Sequence, residues 1–112
     1  MVDYANVSRL TVAQIQAAVC QEWGISLTDM GSSQTSRTQH ISRARQVAMY
    51  LARRLTNEKL VMLAMDFGLR DHTTVVQSLK RITERMAGDP FLALRVTALE
   101  ARLQYPQLVE HF

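Results

Sequence analysis

The chain has 112 residues, 47% of them hydrophobic and 21% charged, which fits one compact domain and leaves too little material for two. A single cysteine, Cys20, excludes an intramolecular disulfide and a cysteine metal cluster, and reads as a small buried apolar residue. No apolar run is long enough to span a membrane, and Met1-Val2-Asp3-Tyr4 lacks the basic-then-apolar order of a signal peptide, so the expected location is a reducing cytoplasm.

Net charge is +3, unevenly spread. Between Arg37 and Arg85 stand ten Lys or Arg against four Asp or Glu, whereas the rest of the chain holds three basic and six acidic residues. A basic stretch of this kind favours a polyanionic partner, nucleic acid ahead of an anionic membrane.

Residues 1–10 read as a polar lead-in and residues 11–112 as the domain. Val12, Ile15, Val19 and Trp23 recur at helical spacing, which predicts an amphipathic helix from about Thr11 to Trp23, capped by Ser8 or Thr11. After Gly24 a short helical turn is expected at Leu27 to Met30. Residues 31–40, Gly-Ser-Ser-Gln-Thr-Ser-Arg-Thr-Gln-His, are small and polar and read as a loop with Arg37 in its middle. From Ser42 to Leu55 the stripe Val47, Tyr50, Leu51 and Leu55, flanked by Ala44, Ala48 and Ala52, predicts a long helix. A shorter one, capped by Thr56 or Asn57, carries Leu60, Leu63, Ala64 and Phe67 and ends at Gly68 in a left-handed conformation. Asp71 is the expected N-cap of a helix running to about Met86, with Val75, Val76, Leu79, Ile82 and Met86 inward. Gly88, Asp89 and Pro90 break it. A last helix, Pro90 to about Gln104, closes the core with Leu92, Val96, Leu99 and Leu103. Met49, Met62, Met65 and Met86 are expected as core filler. No strand pattern competes, so the fold class is all-α: a small helical bundle.

Inside it, the helices on either side of Gly68, at about residues 58–86, have helix-turn-helix spacing. In such a unit the second helix enters the major groove of DNA. Its outward residues here are His72, Thr73, Gln77, Lys80 and Arg81. Thr73 and Thr74 offer methyls to thymine and hydroxyls to base edges, and His72 and Gln77 offer hydrogen bonds. The run Arg70, Asp71, His72, Thr73, Thr74 carries more hydrogen-bonding side chains than one helix cap uses. Catalysis is not expected, because adjacent helical residues such as Asp71 and His72 point about 100° apart and no nucleophile accompanies them. His40, His72 and His111 are too dispersed to hold a metal, and no cofactor is implied.

The segment Phe67-Gly68-Leu69-Arg70-Asp71-His72-Thr73-Thr74-Val75, with Arg43-Ala44-Arg45-Gln46-Val47-Ala48-Met49 before it, resembles the C-terminal DNA-binding domain of the bacterial chromosomal replication initiator family, DnaA, and the resemblance covers roughly residues 11–104. It implies binding of a short asymmetric duplex box, and a lone module of this size is expected to bind such a site as a monomer. Asp71, His72, Thr73 and Thr74 would lie in the major groove, with the first three touching bases. Arg37 matches an arginine that enters the adjacent minor groove, and Arg45, Gln46 and Arg81 match phosphate contacts. Arg70 completes the signature.

Three departures stand out. The loop around Arg37 is poorer in basic residues than the family's. Leu69 and Ala64 replace glycines, and Leu69 would be strained if its site requires a positive φ. No G-x-x-x-x-G-K-[ST] phosphate loop is present, so ATP hydrolysis by this chain is not expected. The resemblance therefore implies either one domain of a full initiator or a standalone relative that competes with it at boxes on the nucleoid. The alternative is a protein-interaction module, which would use an exposed apolar patch rather than a salt-sensitive, box-selective surface.

Overall fold

A computed structural model describes residues 10–31 and 38–106. Six helices follow in order: α1 (Val12–Trp23), α2 (Leu27–Gly31), α3 (Gln39–Leu55), α4 (Leu60–Asp66), α5 (His72–Gly88) and α6 (Pro90–Gln104). The fold is the all-α bundle with a helix-turn-helix that the sequence predicts, and the described residues include no strand.

Local chemistry explains most boundaries. Thr11 and Gln14 form a reciprocal capping box at the start of α1: the Thr11 hydroxyl accepts from the Gln14 amide at 3.1 Å and the Gln14 side chain accepts from the Thr11 amide at 3.0 Å. Gly24, with φ 68°, ends the helix. α3 begins earlier than its apolar stripe predicts. Thr38 caps it by accepting from the Ile41 amide, so Gln39 and His40 are helical rather than loop. A contact of 2.6 Å between His40 Nε2 and the Trp23 carbonyl then ties this first turn to the end of α1.

Neither Thr56 nor Asn57 caps α4; the N-cap is Lys59, which makes no side-chain cap bond. The Thr56 hydroxyl is committed elsewhere, donating to the Ala52 carbonyl at 2.6 Å.

α3 is the spine. It buries Ala44, Arg45, Val47, Ala48, Met49, Leu51 and Ala52 among the other five helices, with α1 and α5 as its main neighbours. Its alanines let neighbouring helices approach closely, and Ile15, Val19 and Trp23 of α1 fill one side while Val75 and Ile82 of α5 fill another. Two expectations about the core fail. Val76 is 45% exposed, because Val75 takes the inward position and the next residue is rotated away. Met62 and Met65 lie 44% and 66% exposed, since the short α4 turns Leu63 and Ala64 inward and leaves its other side to solvent. Met49 is buried as expected, and Met86 packs at the core's edge.

Exposed ion pairs brace the outside. Arg54 meets Glu100 at 2.7 Å, linking α3 to α6, and Glu22 receives Arg95 and Arg102 while Arg95 stacks 4.1 Å over the Trp23 ring. At this exposure each pair contributes about 0–1 kcal/mol, so packing around α3 carries the fold.

Candidate nucleic-acid interface

The turn between α4 and α5 sets the aim of everything beyond it. Gly68 adopts φ 68°, its amide donates to the Met65 carbonyl at 3.1 Å, and the Leu69 amide donates to the Ala64 carbonyl at 2.8 Å. These two bonds form a Schellman motif in which only Gly68 needs the left-handed conformation. Leu69 has no positive φ and packs half-buried against the core, so the leucine departure introduces no strain.

Asp71 then starts α5. One of its carboxylate oxygens, Oδ1, accepts from the Thr73 amide at 2.9 Å and from the Thr73 hydroxyl at 2.6 Å, with His72 Nδ1 3.3 Å away. The Thr73 hydroxyl, the Thr73 amide and, more weakly, His72 hold the Asp71 carboxyl below its ordinary range. The arrangement has chemical consequences beyond capping. Because Thr73 spends its hydroxyl hydrogen on Asp71, it presents a methyl and an accepting oxygen to a ligand. His72 Nδ1 lies 3.3 Å from the same carboxylate, and its exposed ring offers nitrogens to a ligand beside Thr73.

Arg70, Asp71, His72, Thr73, Thr74, Gln77 and Arg81 are all exposed, while Val75 and Ile82 are buried on the opposite side of the helix. Thr73, Gln77, Arg81 and Arg85 follow at intervals of four and form a row along α5. The structure thus gathers seven of the sequence-predicted residues onto one end and edge of α5. Gln46 joins them from α3: it lines, with Ser42, Arg81 and Arg85, an open cleft of about 690 Å³. Arg37 lies outside the described residues.

Arg45 does not belong to this surface. It is 4% exposed, with Nη1 donating to the carbonyls of Asp29 (3.3 Å) and Met30 (3.1 Å) and Nη2 to that of Phe67 (2.7 Å). Burial lowers its pKa, and the backbone carbonyls replace the water it loses. A guanidinium facing inward with its donors committed in this way cannot also grip a phosphate at the surface, so the contact implied for it is corrected to a structural role. Arg45 locks the end of α2, where the Arg37 segment begins, to the residue before Gly68.

Two arginines escaped selection from sequence. Arg43 and Arg85 both line a small pocket beside Gln39, Ser42 and Gln46. They are 42 positions apart, and only the packing of α3 on α5 brings them together. The described residues contain no cluster of His, Cys, Asp or Glu able to hold a metal.

Comparison with known proteins agrees with this geometry. Residues 12–82 match the family model described as the bacterial DnaA protein helix-turn-helix. The chain is similar to the chromosomal replication initiator protein DnaA of Gluconobacter oxydans, 43% identical over 100 residues, covering 89% of this chain and 20% of that protein. The DnaA proteins of Methylacidiphilum infernorum (41% over 98 residues, 88% of this chain and 21% of the relative) and Anaplasma marginale (45% over 89 residues, 80% and 18%) are similar to the same extent. The chain spans about a fifth of the length of these relatives.

Proposed function

Because the chain belongs to the bacterial DnaA helix-turn-helix family, we propose that it binds double-stranded DNA sequence-specifically at initiator-type boxes, with α5 in the major groove. The observation that carries this reading is the Asp71-His72-Thr73 arrangement. A cap alone needs one oxygen and one amide, yet here the same carboxylate also takes the Thr73 hydroxyl hydrogen and so fixes that side chain's hydrogen-bonding face, with the His72 ring close beside it. Thr73 is set to place its methyl on a thymine methyl or its oxygen on a base amino group, and His72 and Gln77 read neighbouring edges. Thr74 lies beside them in the major groove, and Arg70, Gln46 and Arg81 surround them as positioning contacts to backbone phosphates, which fix register and carry no sequence information. Arg37 is assigned to the minor groove beside the box, where an arginine exploits the negative potential of a narrow A·T tract.

On this reading the domain acts as a monomer at an asymmetric site, in the cytoplasm on the nucleoid. It serves either as the box-reading part of a larger initiator or as a separate competitor for initiator boxes. Binding requires no cofactor and involves no catalysis.

Fluorescence anisotropy of a labelled box duplex against a scrambled one, at about 150 mM salt where non-specific binding weakens, tests the proposal. A preference for the box that disappears in His72→Ala is the expected result. Equal, weak binding to both duplexes contradicts it. That outcome would favour a protein-docking role, for which the exposed Val61, Met62 and Met65 of α4 offer apolar surface.

A further inference from the structure

We infer that the small pocket between the first turns of α3 and the last turns of α5 is a seat for one phosphate of the DNA backbone, gripped by Arg43 and Arg85. The inference rests on the duplex-binding reading above and extends the interface toward the far end of α5 from Thr73.

The pocket has a volume of about 60 Å³, and its lining is Gln39, Ser42, Arg43, Gln46 and Arg85. Each of these side chains can donate a hydrogen bond, and none is a carboxylate. Two guanidiniums with amides and a hydroxyl form a donor set suited to a compact oxyanion. Arg43 lines the pocket half-buried, and the grip proposed for it falls to its Nη groups. Its Nε is sealed from solvent and has no hydrogen-bond partner among the described residues. Neither Arg43 nor Arg85 forms an ion pair among the described residues, so both charges are available.

The surroundings favour a phosphate attached to a duplex. The pocket adjoins the wider cleft that also holds Arg81, so Arg81 and Arg85, one helical turn apart, present charge along the same row as Gln77 and Thr73. Glu84 and Asp89 line that wider cleft but not the small pocket, so an anion is favoured in the pocket, whose lining carries no carboxylate. The first turn of α3 adds the positive end of a helix dipole. Arg43 and Arg85 also offset a deficit: residues 31–40, just before α3, contain Arg37 as their one basic side chain besides His40.

Two measurements test the assignment. First, the slope of log affinity against log salt is compared for wild type, Arg43→Ala, Arg85→Gln and the double variant on box and scrambled duplexes. It should fall by about one unit per arginine removed, with the box-to-scrambled ratio unchanged. Second, single phosphates of the duplex are replaced by neutral methylphosphonates. One position should weaken binding to wild type and leave the double variant unaffected.

Arg85 is exposed, so Arg85→Gln keeps the test valid if Arg43→Ala unfolds. Slopes unchanged in folded variants overturn the assignment. So does the lack of any position coupled to the two arginines, including the case where inorganic phosphate alone shifts the Arg43 Nε resonance. A wild-type protein with no box preference would defeat the recognition reading but leave the slope comparison intact.

Discussion

α3 and α5 are both 17 residues long and both amphipathic, yet α3 buries seven side chains and α5 two. α3 packs against all five other helices, most of all α1 and α5, and gives most of its surface to them. α5 lies against the bundle on a narrow stripe and leaves the rest of its circumference to solvent, where it carries the hydrogen-bonding row. The contrast separates two uses of one element: mutations in α3 should act on folding, and those on the outer row of α5 on binding. Arginine shows the division most clearly. Arg45 and Arg81 differ little as residues in a basic sequence, but one is a bolt inside the molecule and the other lies on its binding face.

Leu51→Ala, at a fully buried position of α3, should break the fold side of this contrast most strongly, costing about 2–5 kcal/mol in urea unfolding. The surviving folded fraction should keep its box preference. Arg45→Met should follow at roughly 2–4 kcal/mol, because it strands the carbonyls of Asp29, Met30 and Phe67. Its salt slope, measured where the protein remains folded, should match wild type. A lowered slope without loss of stability would return Arg45 to the phosphate surface. On the α5 side, Thr73→Ala should cost about 1–3 kcal/mol of affinity for the box and flatten discrimination at one base pair. Its melting temperature should change less than that of either α3 variant.

The smallest effect concerns pH and sharpens the role of Asp71. Its carboxyl is held below the ordinary value of 3.8 in the folded state, so the unfolded chain takes up a proton first as pH falls. Its contribution to stability is therefore complete above the ordinary carboxylate range and fades as pH drops through the lowered folded value. Asp71→Asn, which can still cap but cannot ionise, should remove that acid-side slope and lower the neutral-pH melting temperature slightly, by the part that ionised Asp71 contributes. An identical acid slope in both proteins would mean that the Asp71 contacts do not favour its ionised form.

What the sequence could reveal depended on how local each cause was. Gly68, Asp71 and Thr11 act on groups a few positions away, so their caps and turns were legible, whereas Asp89, read only as part of a break, also caps α6 by accepting from the Leu92 amide. The stripe of Val75, Leu79 and Ile82 was legible for the same reason. Arg45 was not, because its acceptors come from segments 15 to 22 residues distant and its charge resembles that of its exposed neighbours. Met62 and Met65 were misplaced since a seven-residue helix is too short for periodicity to fix which side faces in. Arg43 and Arg85 become partners in a pocket only through the packing of α3 on α5, a relation absent from any window of sequence.

The central claim is that the Asp71-His72-Thr73 end of α5 reads base edges, and selection from a random duplex pool tests it most directly. Wild type and Thr73→Ala would be carried through the same rounds and the enriched sequences compared. The account predicts a single short asymmetric motif for wild type and, for the variant, the same motif relaxed at one or two adjacent positions. Recovery of no motif with wild type, or of an identical motif with both proteins, would contradict it.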